Sequence, residues 1–297
     1  MAAVTRPPRA AGGGRSFFGY LKEGVVVATR NRGLFLPLAA LHATRSMAFL
    51  IARRTLYSWF IAAAADLEAG ELLPGRRCLL QAGAACVVAH VALGLAIDVA
   101  TVFAAVASCS GESPHNTTLS SLLRELVRSN LRGPVVTSVF GSITGWASVG
   151  VTWLVIPAGF LSPGMALLVL IFELTAFLFF FYYDAVLSAA VVVSAAEPGL
   201  RGAAAVRRAR RLVRGGRKLA QAALYSLVVF ALEKAIWRTH SVTMARLPHG
   251  SSIATALFPV DGVIVYLLLG ALKVLRTTTI TAYYFDCRRT DKAGHAE

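Results

Sequence analysis

Charged residues are scarce in this chain, and acidic residues are the scarcest of them. Only 15% of the 297 residues are charged, with 15 acidic against 30 basic side chains, whereas about 25% is usual in soluble globular domains. A chain with so few charges cannot cover the surface of a water-soluble globule of this size. The hydrophobic share of 56% and the mean hydropathy of +0.63 indicate that lipid solvates most of it.

Motifs for metal binding and for the common catalytic chemistries are also missing. No zinc-ligand or disulfide-framework spacing connects the four cysteines, which are Cys78, Cys86, Cys109 and Cys287. Neither a G-x-S-x-G sequence nor a Walker A loop occurs. The polar stretches between apolar segments, about 25 to 30 residues at most, are too short for a separate catalytic domain. We therefore predict a protein that is not an enzyme and holds no cofactor and no metal.

Six apolar stretches are long enough to cross the hydrocarbon core of a bilayer, which takes about 20 helical residues. They lie near residues 33–52, 79–107, 134–158, 164–195, 219–237 and 255–281. Arg45 interrupts the first stretch, and Arg53 and Arg54 follow it, so five spans are an alternative. The predicted fold class is all-α, a polytopic helical membrane protein with about six transmembrane helices and basic amphipathic interfacial helices.

The distribution of basic residues predicts the orientation in the membrane. With the N-terminus in the cytosol, 20 of the 30 Lys and Arg residues fall on the cytosolic side, six fall on the opposite side, and four lie within or at the ends of spans. Cytosolic loops carry the excess of Lys and Arg in membrane proteins. Both termini are therefore expected in the cytosol, and both the endoplasmic reticulum and the plasma membrane remain open. The expected units are a disordered tail (1–16), one helical membrane domain (17–285) and a C-terminal tail (286–297).

A short basic segment precedes each pair of spans and ends in an Arg-Gly step, at residues 32–33, 132–133 and 214–215. Apolar residues recur at helical spacing in each segment, which is typical of a helix lying in the headgroup plane. In the first segment these residues are Phe17, Phe18, Leu21, Val25 and Ala28. In the third they are Ala205, Ala209, Leu212 and Val213. We predict three units of interfacial helix plus membrane hairpin, with chance similarity as the alternative.

The third segment carries the densest positive charge. Near an anionic leaflet each basic residue can contribute about 1 kcal/mol of attraction. Long apolar runs separate the basic segments, so the net charge of +15 indicates a membrane surface rather than nucleic acid. The predicted contacts with acidic lipid headgroups or a partner protein are Arg207, Arg208, Arg210, Arg211, Arg214 and Arg217. The alternative is that these residues only fix the topology.

Four charged residues inside the spans are further candidates, because each such charge costs about 2.5 to 3.5 kcal/mol to insert. Glu173 and Asp184 are 11 residues apart on one span and share a helix face. Lys273 and Arg276 share a face of the last span. We expect structural pairing between the two spans, with an ion or solute pathway as the alternative. His90 is expected to be a satisfied core histidine.

Two segments resemble known families. VVVSAAEPGLRGAAAVRRARRLVRGG and the C-terminal TAYYFDCRR are similar to patterns of a plant family of uncharacterised multi-pass membrane proteins. The first also resembles the membrane domain that accompanies some bacterial glycerophosphodiester phosphodiesterases, where it lies outside the catalytic barrel. The matching positions are Glu197, Gly202, Arg208, Leu212 and Gly215, and Ala209 stands where serine is usual. The resemblance implies a fold and no activity.

The leading functional prediction is a non-enzymatic membrane component that contacts acidic lipids or a partner protein through a cytosolic arginine-rich face. The alternative is a small-solute transporter or channel that uses intramembrane carboxylates. A lipid-modifying enzyme is the third hypothesis.

Overall fold

The structure is a computed structural model that describes residues 17–68, 75–110, 132–155, 163–197, 199–214, 216–245 and 260–293. These residues form helices and no strand, which confirms the predicted all-α class. The helices are α1 (Phe17–Arg30), α2 (Arg32–Glu68), α3 (Gly75–Ser110), α4 (Arg132–Val155), α5 (Pro163–Ala196), α6 (Ala203–Val213), α7 (Gly216–Ala245) and α8 (Val260–Ala293). The predicted tail 1–16 and most of the second basic segment lie outside the described residues.

Five helices are long and apolar enough to cross a membrane, by length and composition. The candidate spans are Arg32–Ala52, Gln81–Ser110, Gly164–Ala196, Lys218–Thr239 and Gly262–Asp291. Each overlaps a span predicted from the sequence, and together they support a multi-pass membrane protein. The remaining predicted span, 134–158, overlaps α4, whose 24 residues measure about 36 Å along the axis. The count of six spans stays a prediction.

The exposed surface of α5 is a continuous apolar face. Leu167, Leu170, Leu174 and Leu178 are all more than half exposed, and they recur at helical spacing. An apolar face of this length would aggregate in water, but it suits contact with lipid chains. The N-terminal half of α5, which carries these leucines, therefore faces the bilayer. Val193, near the C-terminal end of the helix, is fully buried against other helices.

α8 is the central helix and packs against α1, α2, α3, α5, α6 and α7. Two of its buried threonines satisfy their hydroxyls within the helix, since Thr278 donates to the carbonyl of Val274 (3.2 Å) and Thr281 donates to that of Thr277 (2.8 Å). A helix can therefore be surrounded on several sides without leaving these polar groups unpaired. α8 continues to Ala293, so residues 286–293, predicted to be part of a tail, are helical.

α1 runs antiparallel to α8. The Tyr20 hydroxyl donates to Asp286 (2.9 Å), and Gly24 lies directly against Thr279 further back along α8. Phe18 and Val25 are exposed on the other side of α1. The prediction of a helix that lies only in the headgroup plane is therefore incomplete, because the close approach at Gly24 attaches α1 lengthwise to the bundle.

Candidate functional site

The link between α5 and α6 depends on two glycines with positive φ. Gly199 has φ of 98° and Gly202 has φ of 49°, a region that residues with a Cβ rarely adopt. The backbone N–H of Gly202 donates to the hydroxyl of Thr137 on α4 (2.9 Å). This turn fixes where α6 begins and in which direction it leaves α5.

α6 is amphipathic, and its two faces are separated cleanly. Its buried residues are those predicted for the apolar side, namely Ala205, Ala209, Leu212 and Val213. They belong to the main hydrophobic core, together with residues of α5, α7 and α8. The small side chains at positions 205 and 209 allow the helix to pack closely, so α6 has a fixed orientation on the bundle.

Glu197 lies at the centre of a polar junction between α5, α6 and α8. It accepts a hydrogen bond from the hydroxyl of Tyr284 (2.8 Å). Its carboxylate is also 3.6 Å from Nε of Arg208 and 3.7 Å from Nε of Arg288. Arg208 reaches further, to Oδ2 of Asp291 at 3.1 Å. The Glu197 junction thus brings together the two sequence segments in which the family resemblance was found.

Further contacts near the Glu197 junction connect α1 and α7 to α8. The rings of Tyr20 and Tyr283 meet edge to face with centroids 5.2 Å apart, and Tyr283 donates to the carbonyl of Lys218 (3.0 Å). Burial, and then the hydrogen bond to Asp286, raise the pKa of the Tyr20 phenol well above its ordinary value. Tyr20 therefore remains a hydrogen-bond donor throughout the physiological pH range.

The predicted arginines divide into two groups in the structure. Arg207, Arg210, Arg211 and Arg214 are exposed on the outer side of α6, and we call them the arginine surface. Arg208 points the other way and is held by Glu197 and Asp291. The side chain of Arg217 lies outside the described part of the chain. Arg208 could not be distinguished from its neighbours in the sequence, because its acidic partners are 11 and 83 residues away.

We expect the substitution Glu197→Gln to lower the thermal stability of the protein. The change removes the charge that compensates Arg208 and Arg288, and hydrogen bonds of charged groups contribute about 1.5 to 3 kcal/mol each. The measurement is the midpoint of thermal unfolding of the purified protein in detergent. Arg207→Gln, an exposed change on the following helix α6, is the matched control and should unfold like the wild type. Equal midpoints for the two variants would contradict a structural role for the junction.

The spans contain a second polar region, in which the predicted pairing between α5 and α8 forms through Arg276 but not through Lys273. Nη2 of Arg276 donates to both carboxylate oxygens of Asp184 at 2.5 and 2.6 Å, and to Oγ of Ser188 at 3.1 Å. Lys273 instead lies 3.6 Å from Glu233 on α7. The other predicted carboxylate, Glu173, has a buried oxygen without a hydrogen-bond partner among the described residues.

His42 on α2 is a buried polar residue that the sequence reading did not single out. Its Nε2 lies 3.2 Å from the hydroxyl of Thr101, and its Nδ1 lies 4.0 Å from Asp98. Because the Thr101 hydroxyl proton is donated to the carbonyl of Ile97 (2.7 Å), Nε2 of His42 is the donor in this contact. The sequence feature that could have identified His42 is its position in an apolar run, three residues before Arg45.

His90, expected to be a satisfied core histidine, pairs with Arg45. Nη2 of Arg45 lies 3.3 Å from Nε2 of His90, and the ring of Phe49 stacks on His90 with centroids 4.2 Å apart. Gly94 leaves the space that the guanidinium occupies, since a Cβ there would collide with Arg45. The positive charge of Arg45 inside the first span is thus accommodated by a histidine and a glycine of α3 and by an aromatic ring of its own helix, α2.

The described residues bring no three His, Cys, Asp or Glu side chains close enough together to hold a metal ion. No protein-family model, curated protein or solved structure matches this chain. The resemblance to the plant family and to the bacterial membrane domain therefore stays a prediction, and the site's own geometry has to support any function.

Proposed function

We propose that this protein is a non-enzymatic membrane component whose arginine surface contacts the anionic lipid headgroups of the cytosolic leaflet. The observation that carries the proposal is the orientation of α6. One side of this helix is buried in the core, and Arg207, Arg210, Arg211 and Arg214 are exposed on the other. The helix connects the end of one candidate span, at Ala196, to the start of the next, at Lys218.

The position of α6 supports a lipid ligand rather than a distant partner. A short helix between two adjacent spans stays near the depth of their ends, where phosphate groups are concentrated. Guanidinium groups match phosphate oxygens in a two-pronged geometry and remain charged at every relevant pH. Because the buried side fixes the helix in advance, little backbone freedom is lost when a lipid binds.

The test is the affinity of the purified protein, in a neutral detergent, for a short-chain phosphatidylserine, measured by native mass spectrometry. The double substitution Arg210→Gln/Arg211→Gln removes about 2 kcal/mol of attraction, so the dissociation constant should rise about 30-fold. Arg210→Lys/Arg211→Lys keeps the charge and should keep most of the affinity. Unchanged binding by the glutamine variant would contradict the proposal and favour a role of these arginines in topology alone.

A transporter or channel is the second candidate, and a specific arrangement favours it. Carboxylates from three helices, Asp98, Asp184 and Glu233, lie around the basic residues Lys273 and Arg276 of α8 and His42 of α2. Acidic residues on separate spans at a similar depth are a feature of proton and ion pathways. The side chain of Asp98 is 54% exposed, so Asp98 is the most accessible of these three carboxylates.

If these charged residues form a transport pathway, we expect the transport activity to depend on Asp98. The measurement is proton flux into liposomes that contain the protein, followed with a pH-sensitive dye. Asp98→Asn removes the exposed carboxylate beside His42 and should reduce the flux at least tenfold. Lys234→Gln, which changes an exposed charge on α7, should leave it unchanged. Flux no greater than that of protein-free liposomes would exclude proton conduction.

A further inference from the structure

Arg45 is a charged residue of the first candidate span that has no acidic partner among the described residues. Two basic residues of α8 do have one, since Arg276 bonds Asp184 and Lys273 lies 3.6 Å from Glu233. A guanidinium remains charged at every relevant pH, so Arg45 cannot become neutral by losing a proton. An uncompensated charge inside a span is costly, and it marks a candidate site for a ligand of opposite charge.

Arg45 lies in a groove between α2 and α3. The two helices are antiparallel here, since Arg45 lies beside Gly94 and Phe49 stacks on His90. The guanidinium occupies the space beside Gly94, and its Nη2 is 3.3 Å from Nε2 of His90. Because an arginine nitrogen only donates, Nε2 of His90 accepts and the imidazole is neutral. The contact therefore holds the guanidinium in place without compensating its charge.

The guanidinium retains hydrogen-bond donors that no described residue uses. Its Nε is buried and has no hydrogen-bond partner among those residues. His90 accepts from Nη2 alone, whereas a guanidinium has five N–H groups. A cluster of donors with a positive charge and no acceptor suits an anion, and the fork of an arginine matches the oxygens of a phosphate group.

The groove opens toward the lipid. Phe49 on α2 and Val91 and Leu93 on α3 are all more than one-third exposed, and they offer apolar contacts for acyl chains. Arg45 is seven residues before Ala52, where the candidate span ends, a distance of about 10 Å along the helix axis. The length of an arginine side chain and local thinning of the bilayer bring a guanidinium and a lipid phosphate together over such a distance.

We propose that Arg45 and His90 form a binding site for a phosphate group in the groove between α2 and α3. The phosphate oxygens accept hydrogen bonds from the unpaired N–H groups of Arg45, and the negative charge compensates the guanidinium. A phospholipid of the adjacent leaflet supplies such a group at high local concentration, and a free phosphate ion is the other source of the same chemistry. The site and the arginine surface are on different helices, so neither proposal depends on the other.

The experiment compares two lipids that differ in the phosphate-containing headgroup. The full-length protein, in a neutral detergent without phosphate, is titrated with short-chain phosphatidylcholine and with a diacylglycerol that has the same chains. Native mass spectrometry quantifies the bound lipid. Phosphatidylcholine has no net charge, so general attraction to a basic protein does not dominate the comparison. We expect the wild type to bind phosphatidylcholine at least tenfold more tightly than diacylglycerol.

A pair of arginine variants assigns the phosphate to the groove. Arg45→Gln removes the charge and most of the donors, so the dissociation constant for phosphatidylcholine should rise at least tenfold, whereas that for diacylglycerol should not change. Arg238→Gln removes an exposed arginine of α7 and is the matched control, which should bind both lipids like the wild type. Equal weakening by the two variants would reflect net charge alone and would overturn the proposal.

Inorganic phosphate distinguishes the two sources of the ligand. Competition by millimolar inorganic phosphate against phosphatidylcholine would identify the free ion as a ligand of this site, and a lack of competition would identify the phospholipid. The wild type alone also provides a test that does not depend on the folding of a variant. Equal affinity of the wild type for phosphatidylcholine and diacylglycerol, without any effect of inorganic phosphate, would overturn the proposal.

Discussion

Replacement of Arg276 by methionine should destabilise the protein strongly, because the substitution leaves the carboxylate of Asp184 without its counter-charge inside the bundle. The two side chains are about three-quarters buried, and the arginine bonds both carboxylate oxygens and Ser188. Removal of one partner of a buried ion pair typically costs about 3 to 5 kcal/mol. We expect the midpoint of thermal unfolding in detergent to fall by roughly 10 °C or more.

The matched variant is the double substitution Asp184→Leu/Arg276→Met. Replacing both members of a buried pair with apolar residues of similar volume is often neutral or stabilising, so the double variant should recover most of the lost stability. Wild type, the single variants Asp184→Leu and Arg276→Met, and the double variant form a double-mutant cycle, and their unfolding midpoints are the measurement. If the double variant were no more stable than the single one, the contribution of residue 276 would come from packing and not from its charge.

Gly270→Leu should prevent α2 and α8 from packing together. A Cβ at this position would overlap the carbonyl oxygen of Ala39 and would lie 3.2 Å from the backbone nitrogen of Ala43. Backbone atoms cannot move aside as a flexible side chain can, so the helices would have to separate. The cluster of Ala43, Tyr266 and Leu269 would then lose its contacts. We expect a loss of about 3 kcal/mol or more, at or above the usual upper range for overpacking.

The measurement for Gly270 is the yield of monodisperse protein on size-exclusion chromatography. Gly145→Leu on α4 is the matched control, because nothing lies within 4 Å of a Cβ at that position. The control should elute like the wild type at a comparable yield, and Gly270→Ala should be intermediate between wild type and Gly270→Leu. Normal elution of Gly270→Leu would mean that α2 and α8 do not approach each other this closely.

The helices were predictable from the sequence, because the length of an apolar run is a local property. Residues 164–195 were expected to form a span, and α5 occupies Pro163–Ala196. The apolar side of α6 was equally predictable, because its apolar residues recur at helical spacing in the sequence. The orientation of α1 was not, because it depends on the contact of Gly24 with Thr279, more than 250 residues away in sequence.

Pairing inside the membrane was only partly predictable, and simple geometry explains why only one of the two bases of α8 pairs with α5. Glu173 and Asp184 are separated by about 16 Å along α5, whereas Lys273 and Arg276 are separated by about 4.5 Å along α8. Two adjacent bases on one helix cannot both reach carboxylates so far apart. Once Arg276 bonds Asp184, Lys273 is out of reach of Glu173, and it contacts Glu233 instead.

The Glu197 junction shows how a candidate site can emerge from two distant sequence segments. Arg208 was predicted as one of several equivalent surface arginines, but its contacts with Glu197 and Asp291 make it a structural residue. Such a distinction requires knowing which helices are neighbours, and charge density alone does not provide it. The remaining exposed arginines form the arginine surface, which lies on one side of α6 and whose proposed ligand, an anionic lipid headgroup, can be tested.

The proposal that the arginine surface meets cytosolic anionic lipids depends on which side of the membrane α6 occupies. The direct measurement attaches a glycosylation reporter separately to the C-terminus and near residues 70, 115, 205 and 245. Modification near residues 70 and 245 alone is the expected result, since it places α6 and both termini in the cytosol with six spans. Modification near residue 205 would put the arginine surface on the opposite side, away from the leaflet rich in anionic lipids, and would contradict the proposed function.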